Sequence, residues 1–126
     1  MVINSFEDLE IWKLARELAK YVRLNATNQT FNNDFRFVSQ INSAAGSIMD
    51  NIAEGFERDG NREFIQFLYI AKGSCGEVRS QSYRAYDAGF IENETFDTVL
   101  KMTEKLKYKI NGLITKLKNS GGKGYK

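Results

Sequence analysis

The chain has 126 residues, 42% of them hydrophobic and 27% charged, a balance that suits one globular domain and argues against wholesale disorder. It has no histidine, which removes the commonest general base and metal ligand, and its single cysteine excludes an internal disulfide and a multi-cysteine zinc site. Net charge is only +2, yet residues 101–126 hold eight lysines against one acid, Glu104, so the first hundred residues are net acidic.

Ser5 is positioned to cap a first helix over Phe6–Ala26, with Asp8 at its third position. Ile11, Ala15, Leu18 and Val22 recur at helical spacing, flanked by Trp12 and Ala19. An asparagine-rich loop, Thr27 to Asn33, leads to a second helix over Asp34–Arg58, whose stripe is Val38, Ile41, Ala45, Ile48, Ile52 and Phe56. Asp59-Gly60 ends it, glycine being suited to the left-handed position after a helix.

Asn61 is the expected cap of a third helix, Arg62–Ala88, with a core stripe of Phe64, Phe67, Leu68, Ala71, Cys75, Val78 and Ser82, and Gly89 as its stop. Asn93 is the expected cap of a fourth, Glu94–Lys118, with Phe96, Val99, Leu100, Thr103, Leu106, Ile110, Leu113 and Leu117 inside. No proline interrupts any of them. Four long helices on short loops predict an all-α, antiparallel up-down-up-down four-helix bundle over residues 1–118. Residues 119–126 form a flexible C-terminal tail with too little apolar content to order itself.

The outer side of the third helix is unusual for a solvent face. Ile65, Tyr69, Gly73, Gly76, Ser80 and Tyr83 fall together there, with Ile70 beside them. Each interior glycine costs about 1 kcal/mol relative to alanine, whereas small residues and tyrosines suit a contact between proteins. This predicts a self-association face and a homo-oligomer; the plain alternative is scattered surface apolars. On the outer side of the second helix, Asp50 and Glu54 lie four apart and, with Glu57, repel unless paired. The expectation is structural ion pairing with Arg58, Arg62, Arg79 or Arg84 from another helix or subunit.

No pattern in the chain specifies a reaction. The Glu-x-x-His motifs of di-iron bundles need histidine, and no glycine-rich phosphate loop follows a strand. Cys75 falls on an apolar face and reads as a core residue. No catalytic residue, metal site, cofactor or small-molecule substrate is expected, and the chain is not expected to be an enzyme. No signal-like or membrane-spanning apolar run is visible, so a cytoplasmic protein without a membrane partner is expected, and the sequons at Asn25, Asn28 and Asn93 carry no meaning there.

Binding of nucleic acid needs less. Lys101, Lys105, Lys109 and Lys116 fall within an arc of about 80° on the fourth helix, with Lys123 and Lys126 following in the tail. Clustered cations are enough for phosphate, and a ring of subunits would multiply them. Against this, lysines also merely solvate outer faces, and Glu104 interrupts the cluster. Two functions follow: an oligomeric bundle that binds RNA or another nucleic acid, or a protein-interaction scaffold with no nucleic-acid role.

Three segments together carry a resemblance: Phe6-Glu7-Asp8-Leu9-Glu10-Ile11-Trp12, then Ser47-Ile48-Met49-Asp50-Asn51-Ile52-Ala53-Glu54-Gly55, then Phe67-Leu68, Ala71 and Gly73-Ser74. Their order and spacing resemble the four-helix-bundle proteins encoded in intervening sequences of bacterial 23S rRNA genes, over roughly residues 5–118. Many members carry proline early in the second segment; Met49 here leaves the helix straighter. The resemblance implies a small bacterial cytoplasmic bundle, in some members a homopentameric ring. It also implies kinship with the accessory bundle of diversity-generating retroelements, which engages a reverse transcriptase and nucleic acid. It supplies no catalytic residues.

Overall fold

The computed structural model describes residues 3–26 and 34–120. Four α-helices make up the fold: α1 (Glu10–Asn25), α2 (Phe35–Glu57), α3 (Asn61–Asp87) and α4 (Asn93–Lys118), preceded by a single 3₁₀ turn at Phe6–Asp8. Each helix packs on the next in sequence, and α1 closes the ring against α4. Ser47 meets Ser74 while Gly55 meets Phe67, so α2 and α3 run antiparallel. Cys75 meets Thr103 and Asn61 meets Ser120, so α3 and α4 do the same. This is the up-down-up-down, all-α bundle that the four amphipathic stripes imply.

The core fills with one stripe from each helix. Ala15, Leu18 and Val22 of α1, Ile41, Ile48 and Ile52 of α2, Phe64, Leu68, Ala71, Cys75 and Val78 of α3, and Val99 and Ile110 of α4 are completely buried. Each large aliphatic side chain so buried contributes about 1.5–3 kcal/mol. Val38, Phe96 and Leu113 lie at the rim of this core rather than inside it, and Phe67 and Leu100 are only half-buried. Phe37, Ala44 and Ile114 take inside positions instead, because the helices turn slightly from the wheel positions that periodicity alone assigns.

The helix starts also differ from expectation. Ser5 begins the short 3₁₀ turn and not α1; the Asp8 carboxylate accepts the backbone N–H groups of Asn4 and Ser5, at 2.9 and 3.3 Å. The chain then extends through buried Leu9 before α1 begins. Asn61 and Asn93 lie one position inside their helices, with Gly60 and Glu92 at the caps. Asn61 is used differently: its Nδ2 donates to Ser120 Oγ at 2.6 Å, tying the start of α3 to the end of α4. Residues 119 and 120 therefore extend the ordered domain past 118, and the rest of the expected tail lies outside the described residues.

Gly60 and Gly89 have φ of +90° and +76°, which a side chain would strain. After Gly89, Phe90 N–H bonds Ala85 C=O and Gly89 N–H bonds Tyr86 C=O. That double closure of the α3 terminus is the Schellman motif, and it lets Phe90 pack edge-on against Phe37, 5.9 Å between ring centres.

α2 and α3 approach closely at Gly55. A Cβ added at Gly55 would stand 2.6 Å from Phe67 Cβ and 3.1 Å from Phe64 Cδ1. Ser47, Asn51 and Gly55, four apart, share the α2 edge that faces α3. Ser74 Oγ donates to Ser47 Oγ at 3.0 Å, and Asn51 Nδ2 donates to the same oxygen at 2.9 Å. Gly55→Ala should therefore destabilise the fold by about 1–3 kcal/mol through overpacking. Gly46→Ala, in the same helix with nothing within 4 Å, should stabilise it by about 0.5–1 kcal/mol. Urea unfolding of the two variants measures both signs.

Candidate functional site

Three surfaces carry the residues singled out by the sequence. On the first, α4 presents Lys101, Lys105 and Lys116 at exposed positions. Lys109 is different: its Nζ lies 3.4 Å from Glu10 Oε1 on α1, and it is half-buried. It joins the two helices. Glu104, the acid that interrupts the lysines, is turned toward α3. Its carboxylate lies 3.4 Å from Arg79 Nη1 and 3.9 Å from Lys107 Nζ. Arg79 is fixed by donating to Leu100 C=O at 2.8 Å and to Thr103 Oγ1 at 2.9 Å. The negative charge is thus compensated on the α3 side, away from Lys101 and Lys105.

The fold adds cations that the α4 pattern alone did not reveal. α1 lies beside α4, and Lys13, Arg16 and Lys20 are exposed along it, lining a shallow groove with Glu17. They sit four apart or nearly so, on the side of α1 opposite its core stripe. The signal was present in α1, and the closure of the bundle sets that helix beside α4.

The second surface is the outer face of α3. Tyr69 and Tyr83 are about half exposed, Gly73, Gly76 and Ser80 are exposed, and Ile65 packs partly onto the core rim. Nothing within the subunit comes within 4 Å of a Cβ built at Gly73 or Gly76. Neither glycine is therefore required by the packing of the bundle. The tyrosines are less free than the pattern alone implies. Tyr83 and Tyr86 both pack on Phe96 of α4, with ring centres 4.9 and 4.5 Å away. Lys118 Nζ stands 5.3 Å from the Tyr69 ring centre.

The third surface is the acidic side of α2. Glu54 pairs at 2.9 Å with Arg58, the residue that ends α2. Both groups are about half exposed, so water screens the pair and it contributes little. Its presence raises the Arg58 pKa, chiefly through that hydrogen bond. Asp50 and Glu57 are exposed and make no ion pair among the described residues. Arg79 and Arg84 serve elsewhere, Arg84 lying 5.8 Å from the Phe37 ring centre.

Cys75 is completely buried, and its Sγ donates weakly to Thr103 C=O at 3.4 Å. Burial pushes the thiol up to about 11, with the charge of Arg79 pulling the other way. A nucleophilic cysteine needs the opposite shift and an accessible sulfur. Among the described residues, no helix is long and apolar enough to cross a membrane.

The model of a family described as 23S rRNA-intervening sequence protein matches residues 7–112. Among solved structures, the chain is similar to a protein of unknown function from the S23 ribosomal protein family of Bacteroides thetaiotaomicron. The two share 20% identity at a TM-score of 0.73, with 82% of this chain and 97% of that one covered. That likeness bears on the fold. No curated protein sequence matches the chain.

Because the folded thiol ionises near 11 and an ordinary one near 9, the stability tied to Cys75 is complete below about pH 9. It is lost as pH rises toward 11, where the unfolded chain holds fewer protons. Urea midpoints across that window should fall more steeply for the wild type than for Cys75→Ala. Iodoacetamide at pH 8 should alkylate Cys75 only once urea has opened the fold.

Proposed function

We propose, starting from the fact that the chain belongs to the 23S rRNA-intervening sequence protein family, that it is a non-enzymatic, cytoplasmic, oligomeric bundle that binds RNA or a related nucleic acid through the α1–α4 side. The observation that carries this reading is that two adjacent helices both expose cations. α1 presents Lys13, Arg16 and Lys20, and α4, packed against it, presents Lys101, Lys105 and Lys116, while Glu104 is paired toward α3. Phosphate recognition of this kind needs no base-specific contact and weakens steeply with salt.

Self-association is proposed through the outer face of α3, where two glycines that the monomer's own packing does not require lie among partly exposed tyrosines. A ring, five subunits by the family resemblance, would bring several copies of the cationic side to one polyanion and raise avidity without new contacts. The same arrangement fits kinship with the nucleic-acid-engaging accessory bundle of diversity-generating retroelements. A second reading, a protein-interaction scaffold, draws on the same α3 face and leaves the lysines to solvation.

Fluorescence anisotropy of a labelled rRNA hairpin across a salt series tests the first reading. The logarithm of affinity should fall linearly with the logarithm of salt concentration. Replacing Lys101, Lys105, Lys109 and Lys116 together by glutamine should weaken binding and flatten that slope, with Lys109 contributing least. No binding at low salt would shift the function to the scaffold, which should then co-purify with a stoichiometric protein partner and no nucleic-acid absorbance.

Self-association has its own test. Gly73→Glu with Gly76→Glu places two charges in open space and improves helix propensity. Light scattering should then report a folded monomer where the wild type is larger. A wild type that is already monomeric removes the α3 interface.

A further inference from the structure

The tyrosines of the described residues differ in their surroundings. Tyr83 and Tyr86 pack on Phe96, and Tyr69 lies under Lys118. Among the described residues Tyr108 has no ring or cation partner, and it is 74% exposed. It lies on the outer face of α4, three residues after Lys105 and seven after Lys101. At 1.5 Å per residue, Lys101 lies about 10 Å along the axis from the ring. Side chains on a helix lean toward its N-terminus, so Tyr108 leans over the turn that carries Glu104 and Lys105, the carboxylate of Glu104 being drawn toward Arg79 on α3. On its other side stands Gly112, exposed and with nothing within 4 Å of an added Cβ. That end of the ring is not walled by a side chain.

An aromatic residue in such a place is out of keeping with solvation alone. Exposing most of a tyrosine forgoes the burial that its ring would gain in a core, and a lysine or glutamate would make a better helical surface. Placed among cations, the ring has a chemical use. Every nucleobase has a π-face, and stacking on an aromatic side chain is worth about 1–3 kcal/mol per base. A base in a duplex is already stacked and its face is closed, whereas loops, bulges and single strands offer theirs. Lys101 and Lys105, on flexible stems, can hold the phosphates flanking a base that lies on the ring.

We infer that Tyr108 is a stacking platform, so that the α1–α4 side prefers unpaired nucleic acid to duplex. This rests on the phosphate-binding reading and adds the conformation of the ligand to it. The positive charge supplies strand-independent attraction, and Tyr108 supplies the discrimination.

The probes are a fluorescein-labelled RNA hairpin with a long unpaired loop and a blunt-ended duplex made from its stem. Wild-type protein should bind the looped RNA more tightly at matched salt. Tyr108→Ala should lose roughly tenfold in affinity for the looped RNA, leave the duplex affinity unchanged and keep the wild-type salt slope, since no phosphate contact is removed. Tyr108→Phe, which keeps the ring, should bind as the wild type does. Equal affinity of the wild type for the two probes overturns the inference, as does a Tyr108→Ala variant that binds the loop normally or changes the salt slope. A fall in particle mass on Tyr108→Ala, read by light scattering, assigns the ring to a protein contact and also overturns it. Binding of both probes with no role for Tyr108 leaves the phosphate-binding reading standing, whereas failure to bind either probe at low salt removes both.

Discussion

The bundle depends on how closely α2 and α3 can approach at Gly55. With the position that a Cβ would take only 2.6 Å from Phe67 Cβ, no other residue fits there without moving a helix. The segment Ser47-Ile48-Met49-Asp50-Asn51-Ile52-Ala53-Glu54-Gly55 reads clearly once this contact is known. Ser47, Asn51 and Gly55 lie along the seam with α3, joined by hydroxyl and amide hydrogen bonds at Ser47 and Ser74. Ile48 and Ile52 fill the core, and Glu54 faces water and pairs with Arg58. A motif that looks like a functional signature is thus largely a packing signature. Its small residues set the distance between two helices, and that distance fixes which side of α3 faces outward.

Polar contacts deeper in the bundle do similar work between α3 and α4. Arg79 reaches across to the Leu100 carbonyl and the Thr103 hydroxyl, and Thr103 is itself completely buried. Leaving such groups unpaired costs about 1–3 kcal/mol each, so they specify one register between the helices. The register has an electrostatic consequence at the surface. It brings Arg79 beside Glu104 and draws that carboxylate out of the lysine cluster. The cationic character of the α4 face is therefore set partly from α3.

Helix number, most of the core and, except at the start of α1, where Phe6–Asp8 form a separate turn, helix limits to within a residue or two were legible from periodicity, because four amphipathic stripes and two glycine stops leave little choice. What was not legible is what depends on distance between helices. Asn61 reads as a cap by residue type, but Gly60 can take the positive φ that the turn needs, which frees the Asn61 amide to reach Ser120. Glu54 had several arginines to choose from, and Arg58 at the end of α2 holds it. Tyr83 reads as an outward residue on a wheel, yet Phe96 on the next helix covers part of it. Lys13, Arg16 and Lys20 are not legible as neighbours of a basic helix because α4 lies about ninety residues away in the chain and packs on α1 only when the bundle closes.

The resulting charge distribution has a direction. α1 and α4 carry an excess of base, while α2 has Asp50, Glu54 and Glu57 against a single arginine, Arg36. α2 and α4 stand at opposite corners of the bundle, since each packs on α3 and neither packs on the other. A polyanion approaching such a subunit meets attraction on one side and repulsion on the other, and at physiological salt the two fields are felt within about 8 Å. Binding as proposed would therefore orient the subunit before contact. The glycine-rich face of α3 lies between these corners, and the cations of α1 lie across the bundle from it. A contact between subunits through α3 would leave the α1–α4 side uncovered, so the two proposed surfaces do not compete for the same part of the domain.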